Sequence, residues 1–126
     1  MFNYRNRAKQ LIDFSGLQYG NLMSTDIDGV FEYDDKAVIL MEYKYDNAEM
    51  SIGQKIAFIR ICDDIQKSGK YSTLLLCRHK VDNTNEDIDA ANAIVTDLYY
   101  NRKWYINVNK AVRQTINEII RFVDKK

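Results

Sequence analysis

Two short acidic stretches carry residues whose types and spacing suit chemistry on phosphates. The sequence TDIDG contains Asp26 and Asp28, and the sequence MEYKY contains Glu42 and Lys44. Both stretches stand in runs rich in β-branched and aromatic residues, which predicts that they lie on or beside strands. A carboxylate on a buried strand is costly unless it is paired, hydrogen-bonded or bound to a cation. Because side chains alternate along a strand, Glu42 and Lys44 share one face.

The loop between the two predicted strands, 24–33 and 36–45, decides whether Asp28 joins that face. With a two-residue loop, Asp28 would oppose the residue before Glu42. With the three-residue loop 34–36, Asp28 opposes Glu42 itself, and the two Cβ atoms come within ~5 Å of each other. A slip of one residue would move the whole set to the other side of the sheet. We therefore expect a loop of odd length, or a bulge near the start of the first strand.

Two carboxylates at that separation repel each other unless a cation lies between them. Hard oxygen ligands of this kind hold Mg²⁺ or Mn²⁺. Such an ion polarises a phosphoryl oxygen and lowers the pKa of a bound water. The amine of Lys44 would reach the same place and offset developing negative charge. Asp26, which the three-residue loop opposes to Lys44, is either a further ligand or a strand-edge residue paired with that lysine.

Hydrophobic spacing predicts the elements that position these residues. The expected order is a helix, a β-hairpin, a helix, a strand, a second short hairpin and a final helix: 4–15, 24–33 with 36–45, 50–68, 71–78, two strands within 93–106, and 108–123. The apolar run 71–78 is typical of a buried strand. A strand, a helix and another strand predict a crossover with parallel pairing. The fold class is α/β, with a mixed central sheet flanked by helices.

Composition limits the classes of protein that fit. The 126 residues suit one domain, 1–126, and 18 basic residues balance 18 acidic ones. That balance excludes a protein that coats nucleic acid through charge alone. No apolar run approaches the ~20 residues that span a bilayer, and the basic start has no apolar stretch behind it, so we expect a cytoplasmic protein without a membrane partner. With one histidine, Cys62 and Cys77 are interpreted as buried small hydrophobes.

These residues, in this order, resemble the PD-(D/E)XK nuclease superfamily. Its D–x(n)–E-x-K pattern has its counterpart in Asp28, thirteen intervening residues, and Glu42-Tyr43-Lys44. Gln54, followed four residues later by an aromatic residue, is similar to the helix motif of RecB-like and exonuclease-like branches. The segments TDIDGVFEY, ILMEYKY and GQKIAF look like those of small phage-encoded resolvase-type or RecB-type members of the superfamily. The resemblance covers residues 4–80.

The resemblance implies a restriction-endonuclease-like α-β-β-β-α-β core and a metal-dependent deoxyribonuclease. Asp28 and Glu42 would hold Mg²⁺ (or Mn²⁺) with the backbone carbonyl of Tyr43, Lys44 would be the catalytic lysine, and Gln54 would position the lysine or the substrate. The substrate would be duplex or branched DNA, as for a Holliday junction resolvase. A homodimer is implied because one active site cuts one strand. The sequence departs from the family pattern in two ways. The residue before Asp28 is not proline, and the first predicted helix offers only Gln10 and Asp13 in place of the family's glutamate. The second departure leaves the number of metal ions open.

Several alternatives stay open at this point. A catalytically silent phage protein could keep the nuclease fold and bind a host protein or DNA. Glu42 and Lys44 could be an ordinary ion pair in a structural domain, with Gln54 merely a polar residue at a helix start. His79 could act as an acid, although a lone histidine at a strand end is more often simply exposed. The aromatic residues within 99–105 could stack on bases, but packing within the sheet is the commoner role.

Overall fold

The computed structural model describes residues 10–125, and a mixed β-sheet of six strands dominates them. The strands are β1 (Gln18–Tyr19), β2 (Leu22–Met23), β3 (Gly29–Tyr33), β4 (Ala37–Tyr45), β5 (Tyr71–His79), β6 (Ile94–Tyr100), β7 (Lys103–Tyr105) and β8 (Lys110–Ala111). The six-stranded sheet has the order β3-β4-β5-β6-β7, with β8 paired to β6, and β1 and β2 form a separate two-stranded sheet. The helices are α1 (Ile52–Lys67), α2 (Val112–Asp124) and a short 3-10 helix, Ala90–Asn92.

The parallel pair at the centre follows from the strand–helix–strand order. β4 and β5 run parallel from the pair Ala37 and Tyr71 to the pair Tyr45 and His79, with α1 between them in sequence. All other pairings are antiparallel among the described strands. Residues 72–77 of β5 are buried without interruption, which explains why apolar residues follow one another from Leu74 to Cys77. The α/β class and the parallel crossover pair are therefore confirmed.

A three-residue loop joins β3 to β4 and sets the register of that hairpin. Asp34 and Asp35 take positive φ angles of 49° and 60°, a conformation that aspartate tolerates better than most residues. The backbone N–H of Lys36 then donates to the carbonyl oxygen of Tyr33 at 2.8 Å. Opposed residues have an index sum of 70, from Tyr33 against Ala37 onward. The odd loop length predicted from the sequence is confirmed.

Alternation along β4 assigns its side chains to two cores. On one face, Leu40 packs with Phe58 of α1 and with Leu74. On the other face, Ile39 packs with Val112 of α2 and other apolar side chains. Even-numbered residues of β4 therefore point towards α1, so the side chains that follow Leu40 at intervals of two are directed at the first turns of that helix.

The first predicted helix is wrong where it can be checked. Residues 10–15 of the predicted helix 4–15 are not helical, and residues 4–9 lie outside the described part of the chain. Leu11 and Ile12 are exposed and contribute to neither core cluster. A short helix without a buried apolar face gains too little to form in water, which is the physical reason for the error.

Two element boundaries and the number of strands before α1 also differ from the sequence prediction. The first hairpin strand covers 29–33 rather than 24–33, because the chain bends at Asp28 and leaves the ladder. The final helix begins at Val112, after the two residues of β8. In the part of the chain that the structure describes, two strands of the main sheet precede α1, where an α-β-β-β-α-β core has three.

Candidate functional site

The end of the β3–β4 ladder brings two carboxylates together. The ladder stops at Gly29 opposite Met41, so the next residue, Asp28, comes beside Glu42. The backbone N–H of Asp28 donates to Oε1 of Glu42 at 3.4 Å. In return, Oδ2 of Asp28 accepts the backbone N–H of Tyr43 at 2.8 Å, a group that has lost its partner strand. The bend after the ladder thus directs an aspartate at the acidic end of β4.

Burial and like charge act together on Glu42. The residue is only 2 % exposed, although it is a carboxylate. Burial raises the pKa of Glu42 above its ordinary value, and the neighbouring Asp28 carboxyl raises it further. The ammonium of Lys44 and the backbone N–H of Asp28 act in the opposite direction without cancelling the rise. The neighbours of Glu42 within the chain therefore compensate its negative charge only in part.

Helix α1 supplies an amide that joins Glu42 to Lys44. Ser51 caps the helix by accepting the backbone N–H of Gln54 on its Oγ at 3.1 Å, which fixes the first turn above β4. Nε2 of Gln54 donates to Oε2 of Glu42 at 2.8 Å, and Oε1 of Gln54 accepts from Nζ of Lys44 at 3.5 Å. Nζ of Lys44 lies 3.4 Å from Oε2 of Glu42. The structure therefore brings together Asp28, Glu42, Lys44 and Gln54, which we name the Glu42 cluster.

The donor atoms of the Glu42 cluster match what Mg²⁺ requires. Among residues 10–125, no group of three or more His, Cys, Asp or Glu side chains could hold a metal ion. Mg²⁺, however, commonly takes one or two carboxylates and fills its other positions with water and substrate phosphate. A residue in an antiparallel strand directs its N–H and its C=O to the same neighbour, so the carbonyl of Tyr43 points to the side on which Asp28 lies. Asp28, Glu42 and this carbonyl are the atoms that would hold such an ion.

Asp26 does not take the place that the register argument predicts for it. The ladder of β3 begins at Gly29, so Asp26 is not paired opposite Lys44, and its side chain is exposed. The segment before Asp28 turns aside because Ile27 packs into the apolar cluster of Phe58. The prediction that Asp26 forms an ion pair with Lys44 is therefore wrong. The geometry also gives no support to Asp26 as a metal ligand.

The remaining sequence candidates lie outside the Glu42 cluster. His79 contacts the ring of Tyr45, and its Nδ1 accepts the backbone N–H of Val81 at 3.2 Å. Tyr99 is buried and packs against Trp104, as expected for aromatic residues that serve the sheet. Cys62 and Cys77 are free and buried, as predicted, and burial raises the pKa of both thiols.

Arg78 is a residue of structural consequence that the sequence reasoning missed. It is the neighbour of Lys44 across the parallel pair β4 and β5. Its Nη1 donates to the carbonyl oxygens of Asp46 and Ala48 at 2.8 and 2.6 Å, and its Nε donates to Oγ1 of Thr96 at 3.2 Å. Arg78 thus fastens the loop between β4 and α1, the two elements that carry the cluster. The signal available in the sequence was a single arginine at the end of a buried apolar strand.

Comparison with protein-family models, curated proteins and solved structures gives no match for this chain. Among the described residues, no helix is long and apolar enough to cross a membrane. The functional argument therefore rests on the geometry of the Glu42 cluster.

Proposed function

We propose that the protein is a metal-dependent DNA endonuclease that hydrolyses phosphodiester bonds at the Glu42 cluster. One observation carries the proposal: carboxylates from two neighbouring segments meet at the end of β4, and the amine of Lys44 and the amide of Gln54 contact the buried one. The proposal includes the restriction-endonuclease-like version of the α/β fold, to which the sequence resemblance points.

The alternative of a plain ion pair accounts for less of this geometry. Lys44 alone could neutralise Glu42, but Asp28 adds a second negative charge and raises the pKa of Glu42. A buried charge that is compensated only in part destabilises a fold. In a purely structural site the carboxyl of Asp28 would therefore add to the cost of burying Glu42, although it accepts the backbone N–H of Tyr43. Perturbed carboxylates of this kind concentrate at functional sites. A divalent cation is the partner that makes two adjacent carboxylates favourable.

Each residue of the cluster then has a chemical role. Asp28, Glu42 and the carbonyl of Tyr43 would hold Mg²⁺ or Mn²⁺, which when bound polarises a phosphoryl oxygen and acidifies a water. Lys44 faces the same space and stabilises the negative charge that develops on the phosphate. Gln54 holds the Lys44 amine and the Glu42 carboxylate in register through its two amide atoms. Arg78 positions Gln54 indirectly by fastening the loop before α1.

The proposed substrate is DNA, duplex or branched, with a Holliday junction among the branched forms. A single cluster of this kind cuts one strand, so cleavage of both strands requires two copies of the chain. A homodimer is therefore part of the proposal, and sedimentation equilibrium tests it separately from activity.

Cleavage of supercoiled plasmid and of a labelled four-way junction in the presence of Mn²⁺ tests the proposal. We expect Glu42→Gln and Lys44→Ala each to lower the rate at least about 100-fold, because each removes a group that acts on the reacting phosphate. Glu32→Gln is the matched control, since Glu32 is an exposed carboxylate on the same hairpin. Metal-dependent cleavage by Glu42→Gln at the wild-type rate would falsify the assignment.

A catalytically silent protein that binds a host protein or DNA is the second candidate. It is favoured by the small donor set, since the described residues offer two acidic side chains at the site and no third. In that case Lys44→Ala would leave binding and biological effect intact, whereas the endonuclease proposal requires that variant to be inactive.

A further inference from the structure

The N-terminal half of α1 carries a row of residues that, apart from Ala57, do not pack against the core. Gly53, Ile56, Ala57 and Arg60 recur at i, i+3, i+4 and i+7, so they lie on one face of the helix. Ile56 is 44 % exposed although it is large and apolar. Arg60 is exposed and has no hydrogen-bond or ion-pair partner within residues 10–125. Phe58, by contrast, faces the sheet from another side of the helix.

This row forms one wall of a cleft of about 570 Å³, which we name the α1 cleft. The opposite wall comes from the β1–β2 hairpin and the segment after it, with the residues Asn21, Leu22, Ser24 and Thr25. Leu22 is 73 % exposed, so this wall too presents an unpacked apolar side chain. The volume lies within the range of small-molecule sites. Gln54 also lines the cleft, which therefore opens directly beside the Glu42 cluster.

The lining of the α1 cleft matches the parts of a nucleotide. Leu22 and Ile56 provide apolar surface for the faces of a base, and hydroxyl and amide groups on the hairpin wall can hydrogen-bond its edge. Arg60 provides a cation for a phosphate at the far end. A base within a duplex cannot enter such a cleft, because its faces are covered by its neighbours and its edge is paired.

We propose that the α1 cleft binds an unpaired nucleotide of the DNA strand that is cut at the Glu42 cluster. This inference rests on the proposed function and narrows its substrate to DNA with a single-stranded stretch, such as a flap, an overhang or an opened junction. The space beside Gly53 is open, since a Cβ built on it meets no atom within 4 Å, so a large side chain placed there would enter the cleft. Arg60 holds the phosphate of the bound nucleotide.

The inference is tested by binding in EDTA, where no cleavage occurs. Fluorescence anisotropy compares a labelled single-stranded oligonucleotide with the duplex of the same sequence. We expect the single strand to bind about tenfold more tightly, since only its unpaired bases can reach the walls of the cleft. Gly53→Phe, which fills the cleft, should lower single-strand affinity about tenfold. Gly53→Ala is its control and should bind within about twofold of wild type.

Salt dependence isolates the part played by Arg60. Arg60→Ala should weaken binding and reduce the slope of log K against log salt by about 0.7, the value for one phosphate contact on a single strand. Arg113→Ala, which removes an exposed cation on α2, should leave that slope unchanged. If Gly53→Phe fails to fold, Ile56→Ser replaces it, because Ile56 is already partly exposed.

Failure of this inference and failure of the proposed function give different results. Equal affinity for single strand and duplex, or an Arg60→Ala variant that matches Arg113→Ala, overturns the cleft assignment even if plasmid cleavage is confirmed. If wild type cleaves no DNA but shows the expected binding pattern, nucleotide binding in the cleft stands and the endonuclease proposal fails.

Discussion

At the scale of single residues, Glu42 connects the stability of the fold to its proposed chemistry. The carboxylate is buried, it has an acidic neighbour in Asp28, and Lys44 and Gln54 contact one of its oxygens. Such a group is tolerated in a folded chain only if something compensates its charge. In the protein without a bound cation, the buried charge of Glu42 should lower the free energy of unfolding. Replacement of the Glu42 carboxyl by an amide should restore the lost stability.

Glu42→Gln is therefore expected to stabilise the cation-free protein at neutral pH. The pKa of Glu42 is raised by folding, so its favourable contribution is complete below the unfolded pKa and is lost as pH rises through the folded pKa. We expect the variant to gain about 1 kcal/mol over wild type at pH 7 and almost nothing at pH 4. Urea denaturation in EDTA across this range measures the difference. A wild type that is the more stable of the two at pH 7 contradicts the account.

The sequence was enough to predict which residues form the site, but it predicted only some of their contacts. Alternation on one strand was enough to place Glu42 and Lys44 on a common face, as the structure has them. Asp26 was misjudged because the packing of Ile27 against α1 is a tertiary contact without a local signature. Arg78 was missed for the same reason, since its partners are a threonine of β6 and two backbone carbonyls that lie 30 and 32 positions away in sequence.

At the scale of elements, the hairpin loop controls whether the site exists. Index sums of 69 and 70 differ by one loop residue, and only the latter places Asp28 beside Glu42. This register could be derived from the sequence as one of two options, because each option follows from loop length alone. The choice between them depends on the positive φ angles of Asp34 and Asp35, which local sequence permits but does not require.

Deletion of Asp35 should therefore abolish the site by shifting the register. Without Asp35, a two-residue loop that keeps the sum of 70 needs Lys36 at a positive φ angle, which lysine disfavours. A three-residue loop of residues 33, 34 and 36 gives a sum of 69 in wild-type numbering, which turns the β3 side chains to the other face. We expect a loss of about 2–4 kcal/mol in stability and the loss of saturable Mn²⁺ binding in titration calorimetry. Asp35→Asn is the matched control, because it keeps the loop length and removes only the ion pair with Lys70. Wild-type Mn²⁺ affinity in the deletion variant would argue against register as the determinant.

The face that α1 buries could not be read from its periodicity. Ile52, Ile56, Ile59 and Cys62 recur at intervals of three or four residues, yet Ile52 and Ile56 are exposed. Apolar residues occupy nearly every position from 56 to 62, so several helical stripes satisfy the pattern equally well. The sheet selects the stripe of Phe58. Ile56, which this choice leaves partly exposed, lines the α1 cleft.

At the scale of the whole molecule, the site connects the end of the β3–β4 hairpin to the first turn of α1. β3 is an edge strand that pairs with β4 alone, and α1 touches β4 less extensively than it touches β5. The bonds of Asp28 and of Gln54 to β4 therefore link the hairpin end and the first turn of α1 at a single point. A ligand bound at this point stabilises the folded chain as a whole, because the unfolded chain does not assemble it.

Mn²⁺ should accordingly raise the midpoint of thermal unfolding, and the rise should depend on the cluster. At a concentration about 100 times the dissociation constant, linkage gives about 2.7 kcal/mol, which corresponds to roughly 10 °C for a chain of this length. Differential scanning calorimetry with Mn²⁺, against K⁺ at matched ionic strength, measures the shift. Glu42→Gln should lose most of it, because a neutral amide is a poor ligand, whereas Glu32→Gln should keep it. An equal shift of the midpoint in both variants would mean that the cation binds elsewhere. Glu42 and Asp28 would then lack the cation that explains why Glu42 is buried.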